Sequence, residues 1–232
     1  MANEEKDFQH FAEEVTKVLD DIGSGTVYHV INNFSHDRTY ELSQELSLKD
    51  SRFITIFAPE NRHLPDAYIS GLRAAFDAGN KYIIEMDAGL SHDPHQLPDF
   101  LRALEAGHQC VFGSRMVPGG SITHSPINRR LLSRAGTLLS NTMLGTKLAD
   151  MTSGYQGFHR DVVENIINYP LQSTAHFYQT ELRYLLRNYN TCEIPISYQS
   201  PSPRVSKRAI QNAYQTLLHY FFLRLSGRAK EL

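Results

Sequence analysis

The stretch YIIEMDAGLSHDP, Tyr82 to Pro94, decides how the rest of the chain is read. Its first five residues are apolar except for Glu85, a short run that predicts a buried strand. Asp87 follows at the strand's end, where a carboxylate is costly to bury unless it is bound to something. It is therefore a site candidate. Ser91, His92 and Asp93 lie within six residues of it, and such a loop can gather ligands around a divalent ion. Asp93 has a plainer reading as the cap of a helix begun at Pro94.

Outward from this loop the chain alternates strands and helices. Phe8, Phe11, Ala12, Val15, Val18 and Leu19 recur at helical spacing until Gly23 and Gly25. Thr26 to Ile31 and Phe53 to Phe57 read as strands, with helices expected near Glu41 to Leu48 and over Leu64 to Ala78. Downstream the pattern predicts a helix from Pro94 through Leu104, a strand at Cys110 to Phe112 and a helix at Asn128 to Leu144. A Gly-rich turn at Ser153 to Gly157, two further helices and a strand around Glu193 to Tyr198 complete it, with SPSPR (Ser200 to Arg204) as a loop. This alternation implies an α/β fold with a mainly parallel central sheet covered by helices. In such sheets ligands sit beyond the carboxyl ends of the strands. That places Asn32 to Asp37, Asn61 to Asp66, Asp87 to Asp93 and Gly113 to Arg115 on one rim.

A length of 232 residues fits a single domain, and a net charge of −2 argues against a nucleic-acid binder. Cys110 and Cys192, far apart in sequence, read as buried thiols. The acidic start MANEEKDFQHF lacks the layout of a secretion signal, so a cytoplasmic location is expected. Leu217 to Leu225 is well short of the roughly 20 apolar residues that cross a bilayer.

Two basic features suit phosphate. Arg115 ends a strand and can offer a two-pronged contact, or else a salt bridge to a nearby acid. Arg129, Arg130 and Arg134 fall within two turns of one helix beside Ser133, which also describes a solvated basic face.

These residues carry a resemblance. YIIEMDAGLSHDP, FGSRMVPGG (Phe112 to Gly120), RRLLSRAG (Arg129 to Gly136) and DMTSGYQGFHRDVV (Asp150 to Val163) stand in the order seen in dolichol-phosphate mannose synthases and related family 2 glycosyltransferases. NEEKDF (Asn3 to Phe8) and NRHLPDAYISG (Asn61 to Gly71) are similar to the family's acidic loop and nucleotide-side loop, and the likeness runs from about Asn3 to about Leu225. The resemblance implies a GT-A fold with a nucleotide-sugar half over residues 1–120, an acceptor half over 121–205 and a C-terminal helix over 206–232. It implies transfer of mannose or glucose from a GDP- or UDP-sugar to a polyprenyl phosphate, with inversion. Asp87 matches the first acid of the family's DXD motif, and Arg115 and Asp150 match positions near the diphosphate and the reacting sugar. Asn3, Glu5, Asn33, Asn61 and Asp66 join Asp87 on the donor side, while Arg129, Arg130, Ser133 and Lys207 match the acceptor phosphate side. A Mg or Mn ion is implied, on Asp87 with Ser91, His92 or Asp93 as helpers.

The departures carry expectations of their own. Gly89 stands where the motif has its second acid, which implies a weakly held or dispensable metal and predicts that Gly89→Asp tightens manganese binding. Asn32 and Asn33 stand where the family has paired acids. The chain starts where the family's first, central strand ends, so either a segment precedes Met1 or the sheet closes around the gap. These losses support an alternative: a non-catalytic relative that binds a nucleotide sugar or a partner protein.

Ile210, Ala213, Tyr214, Leu217, Leu218, Phe221, Phe222 and Leu225 give the last helix one broad apolar face, flanked by Lys207, Arg208, Arg224, Arg228 and Lys230. Such a face packs on the core or on a second copy in a homodimer, or lies on the inner face of an anionic membrane.

Overall fold

The computed structural model describes residues 1–123, 127–199, 206–229 and 232, leaving aside the side chains of Asn128 and Arg129. The SPSPR stretch and Lys230 lie outside the described residues. Phe8, Phe11, Ala12, Val15, Val18 and Leu19 all point inward from α1 (Phe8–Ile22), which ends at Gly23 in the left-handed conformation, φ 79°. There follow β1 (Val27–Ile31), α2 (Thr39–Lys49), β2 (Phe53–Phe57), α3 (Leu64–Asp77) and β3 (Tyr82–Glu85). A 3₁₀ turn (Pro94–Gln96) leads into α4 (Leu97–Glu105), β4 (Cys110–Ser114), β5 (Ser121–Thr123) and α5 (Ile127–Leu144). The chain closes with β6 (Gln156–His159), α6 (Arg160–Ile167), α7 (Tyr178–Leu185), β7 (Thr191–Pro195), β8 (Ser197–Gln199) and α8 (Lys207–Leu225).

The central sheet runs β3-β6-β4-β7, with β4 and β7 parallel and β6 antiparallel to both neighbours. Parallel pairing also joins β1 to β2, Val27 opposite Phe53, and β5 to β8. The sheet is thus α/β and helix-covered as expected, but mixed at β6. The last two residues of the Gly-rich turn expected at Ser153 to Gly157, Gln156 and Gly157, begin this strand. The physical reason is Gly157, whose added Cβ would meet Leu104 at 3.2 Å and Ile84 and Phe100 at 3.3 Å. A glycine that reads as a turn signal here lets β6 lie close under α4. The last strand is likewise two, β7 and β8, and β5 carried no apolar run to betray it.

β1 and β3 are not hydrogen-bonded to each other: β1–β2 stands apart from the four-stranded sheet, so the sheet does not close between them. α3 packs against both strands and bridges the interval. The largest core cluster joins α3, β3, β4, β6, α6 and α7 through residues such as Leu72, Ile83, Phe112, Phe158, Val163 and Tyr178. Cys110 is buried and Cys192 half-buried, both as free thiols. On α8 the inner residues Leu217 and Tyr220 are buried, and Tyr220 Oη donates to Glu181 Oε1 at 2.6 Å. Ile210, Tyr214, Phe222 and Leu225 on the same helix remain exposed, so the broad face divides between core and surface.

Candidate active site

Asp87 emerges just beyond β3 onto a loop where Gly89 (φ 73°) and Leu90 (φ 59°) are both left-handed. Its Oδ1 accepts a hydrogen bond from Tyr68 Oη of α3, and its backbone N–H donates to His92 Nδ1 at 3.2 Å. Burial lowers the His92 pKa, which favours the neutral ring whose Nδ1 accepts from the Asp87 N–H. His92 is fully enclosed between Tyr155 and Tyr198, at ring distances of 5.0 and 5.2 Å. That is a structural position rather than an open ligand. Asp93 accepts from His95 N–H at 2.9 Å and caps the 3₁₀ turn, the plainer of its two readings. Ser91 lines the cavity described below, while its carbonyl accepts from Gln199 N–H.

A carboxylate does stand beside Gly89, from an unexpected place. A Cβ on Gly89 would collide with Oε2 of Glu4. Burial pushes the Glu4 carboxyl up against the lowering by the Met1 ammonium, and the nearby acids Asp7, Asp87 and Asp37 add to the rise. Among the described residues no three Asp, Glu, His or Cys side chains gather as a metal cluster. Glu4 beside Gly89 and Asp87 two residues before it are nevertheless hard oxygen donors of the kind a small cation takes, with its remaining ligands from phosphate oxygens and water.

Arg115, at the end of β4, turns its guanidinium onto Asp150. Nε reaches Oδ2 at 2.7 Å and Nη2 reaches Oδ1 at 2.8 Å, with Thr152 Oγ1 accepting from Nη2 at 2.5 Å. The salt-bridge reading of Arg115 is what the structure contains. Burial opposes ionisation of Asp150, yet its bonds from Arg115 outweigh that and hold the carboxyl at about 2. Glu193 supports the same turn by accepting from Ala149 and Asp150 N–H at 2.7 and 2.9 Å.

Beneath Asp87 lies a buried polar chain. Glu85 Oε1 accepts from Tyr178 Oη at 2.6 Å and from Gln156, whose Oε1 accepts from Arg183 at 2.9 Å. Burial raises the Glu85 carboxyl to about 7 against the lowering by these donors. Gly154 lies close to Asp87 and Gln179, where an added Cβ would be 3.3 Å from Asp87 Oδ1.

Asp87, Arg115 and Ser133 all line one cavity of about 1320 Å3. It passes Val27, Leu72 and Ile83 between β1 and β3, and reaches Leu132 and Leu139 of α5 and Ala213 and Tyr214 of α8. The other expected donor-side residues are not on its wall. Asn3 and Glu5 tie down the Phe34 to Arg38 turn, and Asn33 reaches Pro59 carbonyl at 3.4 Å. Asn61 bonds Ser70, and Asp66 caps α3 by accepting from Arg62 and His63 N–H. They shape loops around the site. On the acceptor side Arg130 donates to Ile122 carbonyl at 2.6 Å, Lys207 is exposed at the start of α8, and the side chain of Arg129 lies outside the described residues. Sequence reasoning missed Glu4, Tyr68 and Gln179. Glu4 was legible only as part of an acidic run, and Tyr68 only as an apolar-face residue of α3.

The sequence pattern of Glycosyl transferase family 2 matches residues 3–167. The polyprenol monophosphomannose synthase of Mycolicibacterium smegmatis is 31% identical over 202 residues, 86% of this chain and 76% of that protein. The undecaprenyl-phosphate mannosyltransferase of Micrococcus luteus is 31% identical over 171 residues, 73% of this chain and 70% of that protein. Among solved structures, glucosyl-3-phosphoglycerate synthase of Mycobacterium tuberculosis with Mn2+, UDP and glucosyl-3-phosphoglycerate matches with a TM-score of 0.62 at 14% identity, covering 99% of this chain and 77% of that one. That likeness speaks for the fold.

Proposed function

The chain belongs to glycosyl transferase family 2, and on that premise we propose that it moves a hexose, mannose or glucose, from a GDP- or UDP-sugar to a polyprenyl phosphate. The observation that carries this reading is the single cavity that joins Asp87 and Arg115 to the apolar residues of α5 and α8. A polar end suits a sugar diphosphate and an apolar end suits an isoprenoid chain.

The acceptor phosphate is already ionised at neutral pH, so its oxygen attacks the anomeric carbon without a general base. The bond from that carbon to the donor diphosphate breaks, configuration inverts, and the nucleoside diphosphate leaves with the electron pair. The protein's task is to hold two anions in line and to answer the charge that builds on the leaving group. Asp87 and Glu4 are the carboxylates that would hold a Mg or Mn ion, which when bound would offset that charge. Arg115 and Asp150 act as a unit: Asp150, with Thr152, takes up Nε and Nη2, fixes the guanidinium at the cavity wall and leaves Nη1 for the donor. Arg130, Ser133 and Lys207 are assigned to the acceptor phosphate, and the α5 to α8 region to its lipid.

Peripheral contact with the inner membrane face belongs to the same reading. Neither α5 nor α8 contains an acidic residue, and Ile127, Leu131, Leu138, Ile210, Phe222 and Leu225 are exposed on them. Arg130, Arg134, Lys207 and Arg224 add positive charge that suits anionic lipid. A homodimer through this face is the competing use of it.

A panel of labelled nucleotide sugars, incubated with polyprenyl phosphate with and without manganese, tests the function. Transfer to the lipid supports it; nucleotide binding without transfer supports the non-catalytic alternative.

A further inference from the structure

Asp87 is held by more than its loop. Tyr68 Oη donates to Asp87 Oδ1, while Oδ2 lies 3.9 Å from His92 Nδ1, beyond hydrogen-bond reach. With its side chain 34% exposed and on the cavity wall, Asp87 turns one oxygen to the protein and leaves the other to the cavity. The Tyr68 ring stacks on Tyr178 of α7, centroids 5.0 Å apart and planes at 28°. Tyr178 is itself fixed, fully buried and donating to Glu85 Oε1 at 2.6 Å. A run of contacts therefore leads from Glu85 through Tyr178 and Tyr68 back to Asp87, two residues beyond Glu85 in the chain.

Packing accounts for an aromatic ring at position 68 but not for its hydroxyl. A phenylalanine would fill the same face of α3 and make the same stack. The hydroxyl's partner is the site carboxylate, on a loop with consecutive left-handed residues at Gly89 and Leu90. We propose that Tyr68 is a positioning residue that fixes which oxygen of Asp87 the cavity receives, and that Tyr178 and Glu85 hold Tyr68 in place from the core side. This rests on the reading of Asp87 as the donor-side acid. It restricts Asp87 to a single-oxygen contact with a cation or a diphosphate-bound metal. The hydroxyl acts on orientation more than on affinity, because its bond to Oδ1 competes for that oxygen and leaves Oδ2 unaltered.

The test uses the full chain and Tyr68→Phe, which keeps the ring and removes only the hydroxyl. Manganese is titrated with GDP or UDP, followed by calorimetry and by the Mn2+ paramagnetic resonance spectrum, and transfer is assayed in parallel. The expected result is manganese affinity within about threefold of wild type, an altered spectrum, and kcat lowered about tenfold or more with donor KM little changed. An unaltered spectrum with kcat within about twofold overturns the proposal, as does an affinity loss that accounts for the whole loss of kcat/KM. Tyr178→Phe alone should lower kcat by less, and the double variant should be no worse than Tyr68→Phe; additive losses would sink the supporting role of Tyr178 and Glu85. Melting curves accompany each variant, and a Tyr68→Phe chain that fails to fold assigns the hydroxyl to stability and overturns the proposal. If wild type transfers no sugar, the proposed function falls while the manganese spectra still decide on Tyr68; no manganese bound with either nucleotide overturns the proposal for Tyr68, and the transfer assay alone then decides the function.

Discussion

Arg115 and Asp150 meet fork to fork, at 2.7 and 2.8 Å, with the arginine side chain 7% exposed and the aspartate fully buried. Removing one partner of such a pair strands the other. Asp150→Asn is expected to cost about 3 kcal/mol or more of stability and to reduce transfer at least about tenfold, checked by denaturant unfolding and initial rates. Unfolding unchanged within 1 kcal/mol, as an order-of-magnitude margin, would show that the pair adds nothing to the fold.

The same pair sets a pH dependence. The Asp150 carboxyl titrates at about 2 in the folded chain against 3.8 ordinarily. A depressed pKa adds stability that is present above the unfolded value and lost as pH falls through the folded one. Wild type should therefore lose melting temperature steeply between about pH 4 and pH 2, and Asp150→Asn less steeply over the same window. Parallel slopes for the two proteins would remove Asp150 from the acid transition.

Gly89→Asp reverses an expectation drawn from sequence. Position 89 is left-handed, φ 73°, and an added Cβ collides with Glu4 Oε2, so the new carboxylate displaces Glu4 instead of adding to it. The substitution should destabilise the fold by about 1 kcal/mol and change manganese affinity by less than about threefold. Glu4→Gln should weaken manganese binding in wild type and have little effect once Asp is at 89. A tenfold tightening by Gly89→Asp alone, on the order of 1.4 kcal/mol, would refute the displacement of Glu4.

How far the sequence carried the fold follows from what each signal encodes. Asp87 was legible because a carboxylate at the end of an apolar strand is costly there unless it binds something, and the α1 and α8 faces because their periods repeat over several turns. β6 was not, since Gly157 signals a turn locally and a close helix contact only in three dimensions. Glu4 and Tyr68 were not, because their roles depend on Gly89 and Asp87, residues 85 and 19 positions away along the chain. Arg115 was legible as a charged group at the end of a strand, and its partner was left open because Asp150 lies 35 positions on in the chain.

Membrane docking is tested by point changes. Ending the chain at Ser206 would remove Leu217 and Tyr220 from the core, whereas Phe222 and Leu225 are 61% and 66% exposed. Full-length protein should float with anionic vesicles at low salt and be released by salt, and Phe222→Asp with Leu225→Asp should float less while melting normally. Binding that survives both substitutions would move the docking face elsewhere.

The most direct measurement is the product itself. Purified chain, GDP-mannose or UDP-glucose, manganese and a polyprenyl phosphate are incubated, and the lipid product is analysed for mass and anomeric configuration. The expected product is a lipid monophosphate carrying one hexose with configuration inverted from the donor, lost in Asp87→Asn. Nucleotide binding with no lipid product, or a product formed equally well by Asp87→Asn, would contradict it.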